Sequence, residues 1–515
     1  MLRVLFVSNS SVCMELFNEL PYYSPREYEV YLNGALCKRA RENVFSLFGL
    51  EPDSDYDIRV GGDELRVHTL GESACIKVTK MGAAGDGVRE DTEAIQACID
   101  LCPENGRVYF PAGDYLCAPI SLKSHITLEL SRGARLVGVT EVEKYKAMPA
   151  MGIDKDGKER VITTWEGEAI PSRLSLLHGF DLENVKVVGE GVIDGNAQNS
   201  SWWTTECAQR SIGRPRLCFF NGCKGVAFHG ITAKNSPSWT LHPFYCDDVG
   251  FYDIDVQSPP KDAANTDGLD PEGCDGVKII GCRFSTGDDC IAIKASKIDL
   301  AKKFQRAASR HTVRNCYMHH GHGAVVLGSE IGGGLKELSV SQCLFDGTDR
   351  GLRIKTRRGR GRLCVIDGLK FENIKMTGVG IPFVVNMYYN CDPDGHSEYV
   401  YTRERLPVDD KTPYIGQLEF KNVECRNTHA AAAYFDGLPE QPIKRIRLEN
   451  VTVDYAEDAR AMRPDCLDGV RKMCREGLYF DNVEGVELLN VDIKGQDGER
   501  VILKHHKELI DFDYA

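Results

Sequence analysis

Four polar clusters follow one another between residues 265 and 355, and their residue types are those of an acid–base site. The first two clusters supply three carboxylates, the third an imidazole and the fourth two cations. The clusters are Asn265-Thr266-Asp267, Gly287-Asp288-Asp289, Gly321-His322-Gly323 and Arg353-Ile354-Lys355. Hydrolysis of a glycosidic bond needs one protonated carboxyl for the leaving oxygen and one ionised carboxylate for water or the sugar. The clusters therefore contain the groups for such a reaction.

Each cluster alone is explained as well by ordinary turn residues or a solvated strand face. Together, in this order and at this spacing, the four clusters predict a functional site. Three carboxylates in one site cannot all ionise cheaply, so at least one pKa is expected to rise. His322 is placed to orient or tune an acid. Arg353 and Lys355 lie two residues apart on one side of a strand, where they can hold a carboxylate of the substrate.

The spacing of the clusters indicates how they come together. Asp267 and Asp288 are 21 residues apart, Asp289 and His322 are 33 apart, and His322 and Arg353 are 31 apart. Apolar positions repeat at similar intervals, such as the 23 residues from Val226 to Val249. This period predicts an all-β, right-handed parallel β-helix with the clusters on neighbouring coils, about 4.8 Å apart. A many-stranded sandwich would show hairpin turns instead.

The flanking regions predict two domains, a small β-sandwich over residues 1–74 and the β-helix over 75–515. Residues 28–32 alternate and end in Asn33-Gly34, a hairpin turn signal. The pattern of Leu50, Pro52, Tyr56 and Val60 resembles the corner segment of fibronectin type III domains. Residues 91–101 predict an amphipathic helix, capped by Asp91 or Thr92, that covers the first coil.

Composition excludes several classes of protein. The net charge of −13 argues against general nucleic-acid or membrane-surface binding, and no run of 18 apolar residues predicts a membrane span. The 20 cysteines include no CxxC pair, which favours reduced core residues over a zinc site. No secretory leader is evident, so we expect a cytoplasmic protein. Six basic residues between Arg353 and Arg362 predict a positive patch for an anionic substrate.

The four motifs in this order on a β-helix resemble the glycoside hydrolases of family 28, the polygalacturonases. The resemblance covers residues 76–515, and all four motifs match without substitution. Two flanking segments, 236–243 and 346–355, are similar to the bacterial exo-acting branch. The resemblance implies hydrolysis of α-1,4-galacturonosidic bonds in polygalacturonate or its oligomers, with inversion and release of galacturonate, and without cofactor or metal. Intact Arg353 and Lys355 argue against the related rhamnogalacturonan hydrolases.

The resemblance also implies a role for each residue of the site. Asp288 would be the general acid, Asp267 and Asp289 would activate water, and His322 would support the acid. The residues implied in substrate binding are Asn265, Arg353, Lys355 and one of Tyr388 and Tyr389. An inverting mechanism further predicts that the acid and the base lie about 6.5–9.5 Å apart, whereas about 5 Å would indicate retention.

Two alternatives keep the fold. A β-helical pectate lyase would use calcium and eliminate rather than hydrolyse, but the sequence contains no separate calcium cluster. A non-catalytic pectin-binding solenoid would leave its ligand intact, and it needs no complete acid–base set. For the exo mode we expect that the insertion at 139–175, the loop near 196–213 or the N-terminal domain blocks one end of the groove.

Overall fold

A computed structural model describes residues 1–154, 156–204, 213–258 and 263–512. From Cys75 onward the chain winds into stacked coils whose strands pair in parallel with the coils before and after them. The all-β parallel β-helix predicted from the repeat is therefore confirmed. No helix among the described residues is long and apolar enough to cross a membrane.

Two strand ladders form the faces of the β-helix that lie away from the polar clusters. They begin as separate ladders and merge at the long strand Val365–Thr377. The first ladder contains Cys75–Lys77, Gly106–Phe110, Ile126–Leu130, Glu183–Gly189, Lys224–His229, Asp247–Tyr252, Asp275–Ile280, Ala308–Arg314 and Leu335–Ser341. The second contains Asp86–Glu90, Gly113–Cys117, Ala134–Gly138, Val192–Asp194, Thr232–Lys234, Asp255–Gln257, Arg283–Ser285, Tyr317–His319 and Leu344–Asp346. The merged ladder continues through Tyr414–Ile415, Gln417–Thr428, Ile443–Tyr455, Val483–Lys494 and Glu508–Phe512.

The third face, which we call the site face, carries the polar clusters. It consists of Ile120–Ser121, Leu177–Phe180, Cys218–Asn221, Leu241–Phe244, Ile291–Ile293, Val325–Gly328, Arg350–Lys355, Ile381–Asn386, Ala431–Asp436, Glu476–Asp481 and Val501–Lys504. Single bridges at Leu269 connect Leu241 with Ile291, so the face is continuous where the clusters lie.

The interior of the coils is a single apolar core, because one face of every strand is turned inward. The six cysteines at apolar repeat positions are all buried and free of disulfides, as the sequence predicts: Cys223, Cys246, Cys274, Cys282, Cys316 and Cys343. Asparagines occupy the turns on the outer side of the later coils. Asn373, Asn422, Asn450 and Asn490 have positive φ and form a chain of side-chain hydrogen bonds.

The predicted helix begins at Thr92 and ends at Leu101, and Ile95, Cys98 and Ile99 on its apolar stripe enter the core. The predicted side-chain cap is wrong. The Asp91 carboxylate instead accepts the backbone N–H groups of Ala84 and Gly85, and so fixes the turn before the helix. Among the described residues, two further helices span Ile298–Phe304 and Glu398–Tyr401, and short 3-10 helices span Val78–Met81, Val142–Lys144 and Ala197–Asn199.

The N-terminal region forms two antiparallel sheets around its own apolar core. One sheet contains Leu2–Val7, Ser11–Leu16 and Val44–Phe48, and the other Tyr23–Leu32, Ala35–Glu42, Asp55–Val60 and Asp63–His68. The hairpin at Asn33-Gly34 forms as predicted, and the Tyr56 hydroxyl accepts the backbone N–H of Glu51 at 2.8 Å. The likeness to fibronectin type III domains and the boundary at residue 74 stay predictions.

This N-terminal region packs on the first ladder rather than on the site face. Arg314 and Asn315 both donate to the buried carboxylate of Glu15. The Phe6 ring stacks on Tyr252, with ring centroids 5.2 Å apart. Among the described residues, none of the N-terminal region lines the cavity at the clusters.

The insertion at 139–175 forms small antiparallel ribbons rather than an irregular loop. Its strands are Ala147–Met148, Met151–Ile153, Glu159–Val161, Thr164–Trp165, Glu168–Ala169 and Ser172–Arg173. Glu166 and Gly167 both have positive φ, so they form the tight turn of the hairpin Thr164–Ala169. Position 155 of the insertion and positions 205–212 of the loop near 196–213 lie outside the described residues.

Candidate active site

The four clusters meet on the site face as the spacing predicts. Neighbouring coils are joined there by backbone hydrogen bonds from Gly268 to Asp289, from Cys290 to Gly323 and from Ala324 to Arg350. Gly287 and Asp288 lie in a bend between two strands, outside the alternation of a regular strand. Both Asp288 and Asp289 can therefore turn toward the same site.

A cavity of about 450 Å³ opens over these coils. Its lining contains the predicted residues Asn265, Asp267, Asp288, Asp289, His322, Arg353, Lys355 and Tyr389. The structure thus brings together eight of the nine predicted site residues. Tyr388 points away from the cavity, and the Arg403 guanidinium packs 3.8 Å from the centre of its ring. Of the two tyrosines, Tyr389 is the one placed to contact a substrate.

The three carboxylates are close together, and they differ in exposure. One oxygen from each lies within 4.8 Å of one from each of the others. Asp288 has 22% of its side chain exposed, whereas Asp289 has 1%. Asp267 is also buried. Asp288 thus faces an incoming ligand directly, and the other two form the floor of the cavity.

The observed separation differs from the predicted one. An inverting acid and base are expected about 6.5–9.5 Å apart, but the nearest oxygens of the three carboxylates lie within 4.8 Å. These oxygens are closer than the predicted gap, because the backbone N–H of Gly268, next to Asp267, donates to the carbonyl oxygen of Asp289 on the adjacent coil. Taken alone, the short distance is that of a retaining enzyme, so the stereochemistry depends on what each carboxylate is free to do.

The pKa values of the three carboxyl groups are shifted in different directions. Burial, with the negative charges of Asp270, Asp288 and Asp289, raises the pKa of Asp267 well above its usual range. Burial also acts on Asp288, but the hydrogen bond and charge of His322 outweigh it and lower the pKa of Asp288. The expectation that one pKa rises is met, and it is met at Asp267 rather than at the predicted acid Asp288.

His322 and Asp288 form a pair at the mouth of the cavity. The His322 Nδ1 lies 3.1 Å from Asp288 Oδ1, and this hydrogen bond raises the pKa of the imidazole. The backbone N–H groups of Asn265 and Asp289 also donate to the Asp288 carboxylate, at 3.2 and 3.0 Å. These contacts favour the ionised form of Asp288 and the protonated form of His322.

The two cations of the fourth cluster both pair with the carboxylate of Asp289. Lys355 Nζ lies 2.8 Å from Asp289 Oδ2, and Arg353 Nη1 lies 3.3 Å from Asp289 Oδ1. These charges outweigh burial and lower the pKa of Asp289. Arg353 also donates twice to Asp465 Oδ1, at 2.6 and 3.1 Å. A ligand carboxylate must compete with Asp289 for both cations.

The predicted positive patch beyond Lys355 is wrong. Arg357 and Arg360 are buried and pair with Asp392, and Arg358 is buried and pairs with Glu440. The acidic partners come from segments more than 30 residues further along the chain, so the basic run alone could not reveal them. These three arginines pair with acidic residues in the wall of the cavity. The lysine and arginine side chains that line the cavity in the described part of the chain are Lys294, Arg353 and Lys355.

Several residues that line the cavity lie outside the four sequence motifs. Lys294 lies 3.2 Å from Glu330 and 3.5 Å from Asp270, and it sits 4.5 Å from the ring centre of Trp239. The repeat supplies a signal for Lys294, since it directly follows the strand Ile291–Ile293 on the coil that carries Asp288. Burial and neighbouring carboxylates raise the pKa of Asp270 to about 8, although Lys294 opposes this.

One side of the cavity is closed by a bridge between the insertion and a later segment. Lys297 Nζ lies 2.8 Å from Glu168 Oε1 and 2.8 Å from Asp392 Oδ1. The hairpin tip at Glu166 reaches the cavity lining from one side, and Asp392 reaches it from the other. Of the three elements expected to block the groove, the insertion is the one whose described residues reach the cavity lining. Near the described part of the loop 196–213, Arg214 donates to Asn265 Oδ1 at 2.7 Å.

Comparisons with known proteins identify the family of the chain. The sequence model described as "Glycosyl hydrolases family 28" matches residues 108–466. A probable polygalacturonase of Vitis vinifera is 27% identical over 401 residues, which cover 75% of this chain and 76% of that protein. An exo-poly-alpha-D-galacturonosidase of Dickeya chrysanthemi is 26% identical over 382 residues, which cover 65% of this chain and 60% of that protein.

Two solved structures share the fold. The family 28 exopolygalacturonase of Yersinia enterocolitica superposes with a TM-score of 0.73 at 20% identity, covering 99% of this chain and 98% of that one. The exopolygalacturonase of Thermotoga maritima has a TM-score of 0.65 at 23% identity, covering 82% and 92%. The first likeness extends over the N-terminal region as well as the coils.

Proposed function

Because the chain belongs to the glycosyl hydrolases of family 28, we propose that it hydrolyses α-1,4-galacturonosidic bonds of polygalacturonate or its oligomers from a chain end. The observation that carries this proposal is the cavity itself. Three carboxylates within 4.8 Å of one another lie beside Arg353 and Lys355, so acid–base groups and carboxylate-binding groups share one pocket. Polygalacturonases and exo-acting homologues among the relatives support the same substrate.

In the proposed reaction the Asp288–His322 pair delivers the proton to the leaving oxygen. Asp288 is the carboxylate that faces the substrate, and the proton held on the imidazole can pass through it. Asp289 accepts the proton of the attacking water. A galacturonate carboxylate that takes over Lys355 and Arg353 removes the charges that lower the pKa of Asp289. Recognition of the substrate thereby makes the base stronger.

A product assay on trigalacturonate with EDTA present tests the proposal. Release of galacturonate and digalacturonate, without new ultraviolet absorbance, is the expected result. An unsaturated product whose formation stops on EDTA treatment would instead indicate the calcium-dependent lyase, for which the three clustered carboxylates would be the cation ligands. An untouched trimer that nevertheless binds would indicate the non-catalytic solenoid.

We expect inversion at the anomeric carbon despite the short spacing of the carboxylates. A retaining nucleophile must contact the sugar carbon itself, but Asp267 and Asp289 are buried in the floor of the cavity. Water can reach the carbon where these side chains cannot. Proton NMR of the first product should show the β-anomer before mutarotation. An initial α-anomer would contradict this mechanism.

The pH profile should report the proton held by the Asp288–His322 pair. The pKa of His322 is raised, so the protonated form is present below this raised pKa and is lost as the pH increases through it. We therefore expect kcat/KM to fall on an alkaline limb above the usual imidazole value of about 6.5. In His322→Gln the proton must reside on Asp288 alone, and the limb should move to lower pH. An alkaline limb that stays at the same pH in His322→Gln would show that His322 does not hold the catalytic proton.

The exo mode should depend on the hairpin tip at Gly167. A Cβ added there would lie 2.7 Å from Glu330 Cβ and 2.9 Å from the backbone nitrogen of Lys297, so Gly167→Val must displace the tip. We expect release of monomer from polygalacturonate to fall about tenfold and early products to include longer oligomers. Chromatography of early digests measures both effects.

Gly157 provides the matched control for this substitution. It also has positive φ in a hairpin of the insertion, but a Cβ there would meet no atom within 4 Å. Gly157→Val therefore carries the backbone strain without the clash, and its digest should match that of the unmodified protein. Monomer as the sole early product of Gly167→Val would refute the role of the hairpin tip.

A further inference from the structure

Two cysteines face each other at the mouth of the cavity. Cys391 and Cys466 are both exposed, and both belong to the cavity lining. Their backbones are joined where they pass each other, because the N–H of Asn390 donates to the carbonyl oxygen of Cys466 at 3.1 Å. The Asn386 side chain donates to the same oxygen at 3.2 Å. Cys391, which follows Asn390, is therefore held next to Cys466 in the lining of the cavity.

The segments that carry these cysteines form the wall of the cavity on the side of the later coils. The segment of Cys391 also supplies Tyr389 and Asp392, and the segment of Cys466 supplies Asp465. The segments are about 75 residues apart in the sequence, so a covalent link between them would close a long loop. In the reduced protein the two segments are joined by hydrogen bonds from Asn386 to Cys466 and from Asn390 to Cys466 and Asp468.

We propose that Cys391 and Cys466 form a reversible disulfide that joins the two segments of the cavity wall. With a small-molecule disulfide such as oxidised glutathione as oxidant, the Cys466 thiolate attacks one sulfur and releases one glutathione thiolate. The Cys391 thiolate then attacks the Cys466 sulfur of the mixed disulfide and releases the second glutathione. The protein loses two thiol protons and gains one S–S bond, while the oxidant becomes two reduced thiols.

The surroundings of the two thiols favour this exchange. The neighbouring Cys391 thiol lowers the pKa of Cys466 to about 6, against burial and with help from Arg353 and Arg350. A lower pKa increases the share of thiolate, which is the form that attacks a disulfide. The other exposed cysteines of the described chain lie elsewhere: Cys37 is in the N-terminal region and Cys75 opens the first coil.

The full-length protein, treated with oxidised glutathione and then with N-ethylmaleimide, provides the test. Proteolysis and mass spectrometry should show a peptide pair joined through Cys391 and Cys466, which dithiothreitol separates. The oxidised protein should melt about 2–4 °C higher than the reduced protein, since the link restricts the unfolded chain. Cys391→Ser should lose both the cross-link and the increase, whereas Cys37→Ser should keep both.

The opposite results would overturn the proposal. Glutathione or maleimide attached separately to Cys391 and Cys466, with no joined peptide, would show that the thiols do not pair. A joined peptide with no increase in Tm would show that the bond does not hold the wall together. Cys466→Ser serves as the second variant, because its serine hydroxyl can still hydrogen-bond to Cys391 while no disulfide can form.

Discussion

Asp288→Asn is expected to lower kcat on trigalacturonate by about 10²–10⁴-fold, the range that a positioned general acid contributes. The amide keeps the shape of the side chain but cannot pass on the proton that His322 holds at 3.1 Å from Oδ1. Of the three carboxylates, Asp288 is the one whose side chain faces the substrate. Steady-state kinetics measure the loss, and unchanged circular dichroism establishes that the variant is folded.

The matched control is Asp255→Asn, which makes the same change on the second ladder, away from the cavity. Its kcat should remain within a factor of two of that of the unmodified protein. The informative contrary result is a small loss in Asp288→Asn combined with a large loss in Asp267→Asn. That pattern would transfer the acid role to Asp267, whose pKa is raised by burial and by the neighbouring carboxylates.

The sequence was sufficient to predict the coils and the clusters because both follow from local repetition. An inward-facing apolar position recurs once per coil, so the register of one coil places the next. Asp267, Asp289 and Arg353 therefore come together through backbone hydrogen bonds between adjacent coils. The helix cap at Asp91 could not be predicted in this way. Its carboxylate accepts the backbone N–H groups of Ala84 and Gly85 instead of capping the helix.

The walls of the cavity could not be predicted in the same way, because they come from segments outside the repeat. Glu166 reaches the cavity on a hairpin of the insertion, and Asp392 reaches it from a loop after the strand Ile381–Asn386. Their meeting through Lys297 depends on three distant parts of the chain. The basic run after Lys355 misled for the same reason, since Asp392 and Glu440 neutralise it from a distance.

Asp465 also comes from a segment outside the repeat. Asp465→Asn is expected to lower kcat/KM about 100-fold. Asp465 is buried and accepts two hydrogen bonds from Arg353 through one oxygen. The amide removes its negative charge, which leaves Asp289 as the only anion within 4 Å of the buried guanidinium among the described residues. Arg353 should then shift toward Asp289, away from the substrate carboxylate and against the base.

The cost should also appear in stability, because breaking a buried ion pair leaves a charge without its partner. We expect the free energy of unfolding to fall by about 3 kcal/mol in Asp465→Asn, measured by denaturant titration. Asp468→Asn is the matched control, since Asp468 lies in the same segment but pairs on the surface with Asn390 and His396. It should change neither quantity appreciably.

A methyl-esterified substrate separates positioning of Arg353 from general damage to the fold. The ester has no carboxylate for Arg353 and Lys355 to bind, so the loss in Asp465→Asn relative to the unmodified protein should shrink toward unity on it. An undiminished 100-fold loss on the ester would show that Asp465 acts through stability alone. If Asp465→Asn and the unmodified protein are equally active on the ester, then Asp465, which lies outside the family motifs, controls through Arg353 whether the substrate carboxylate is recognised.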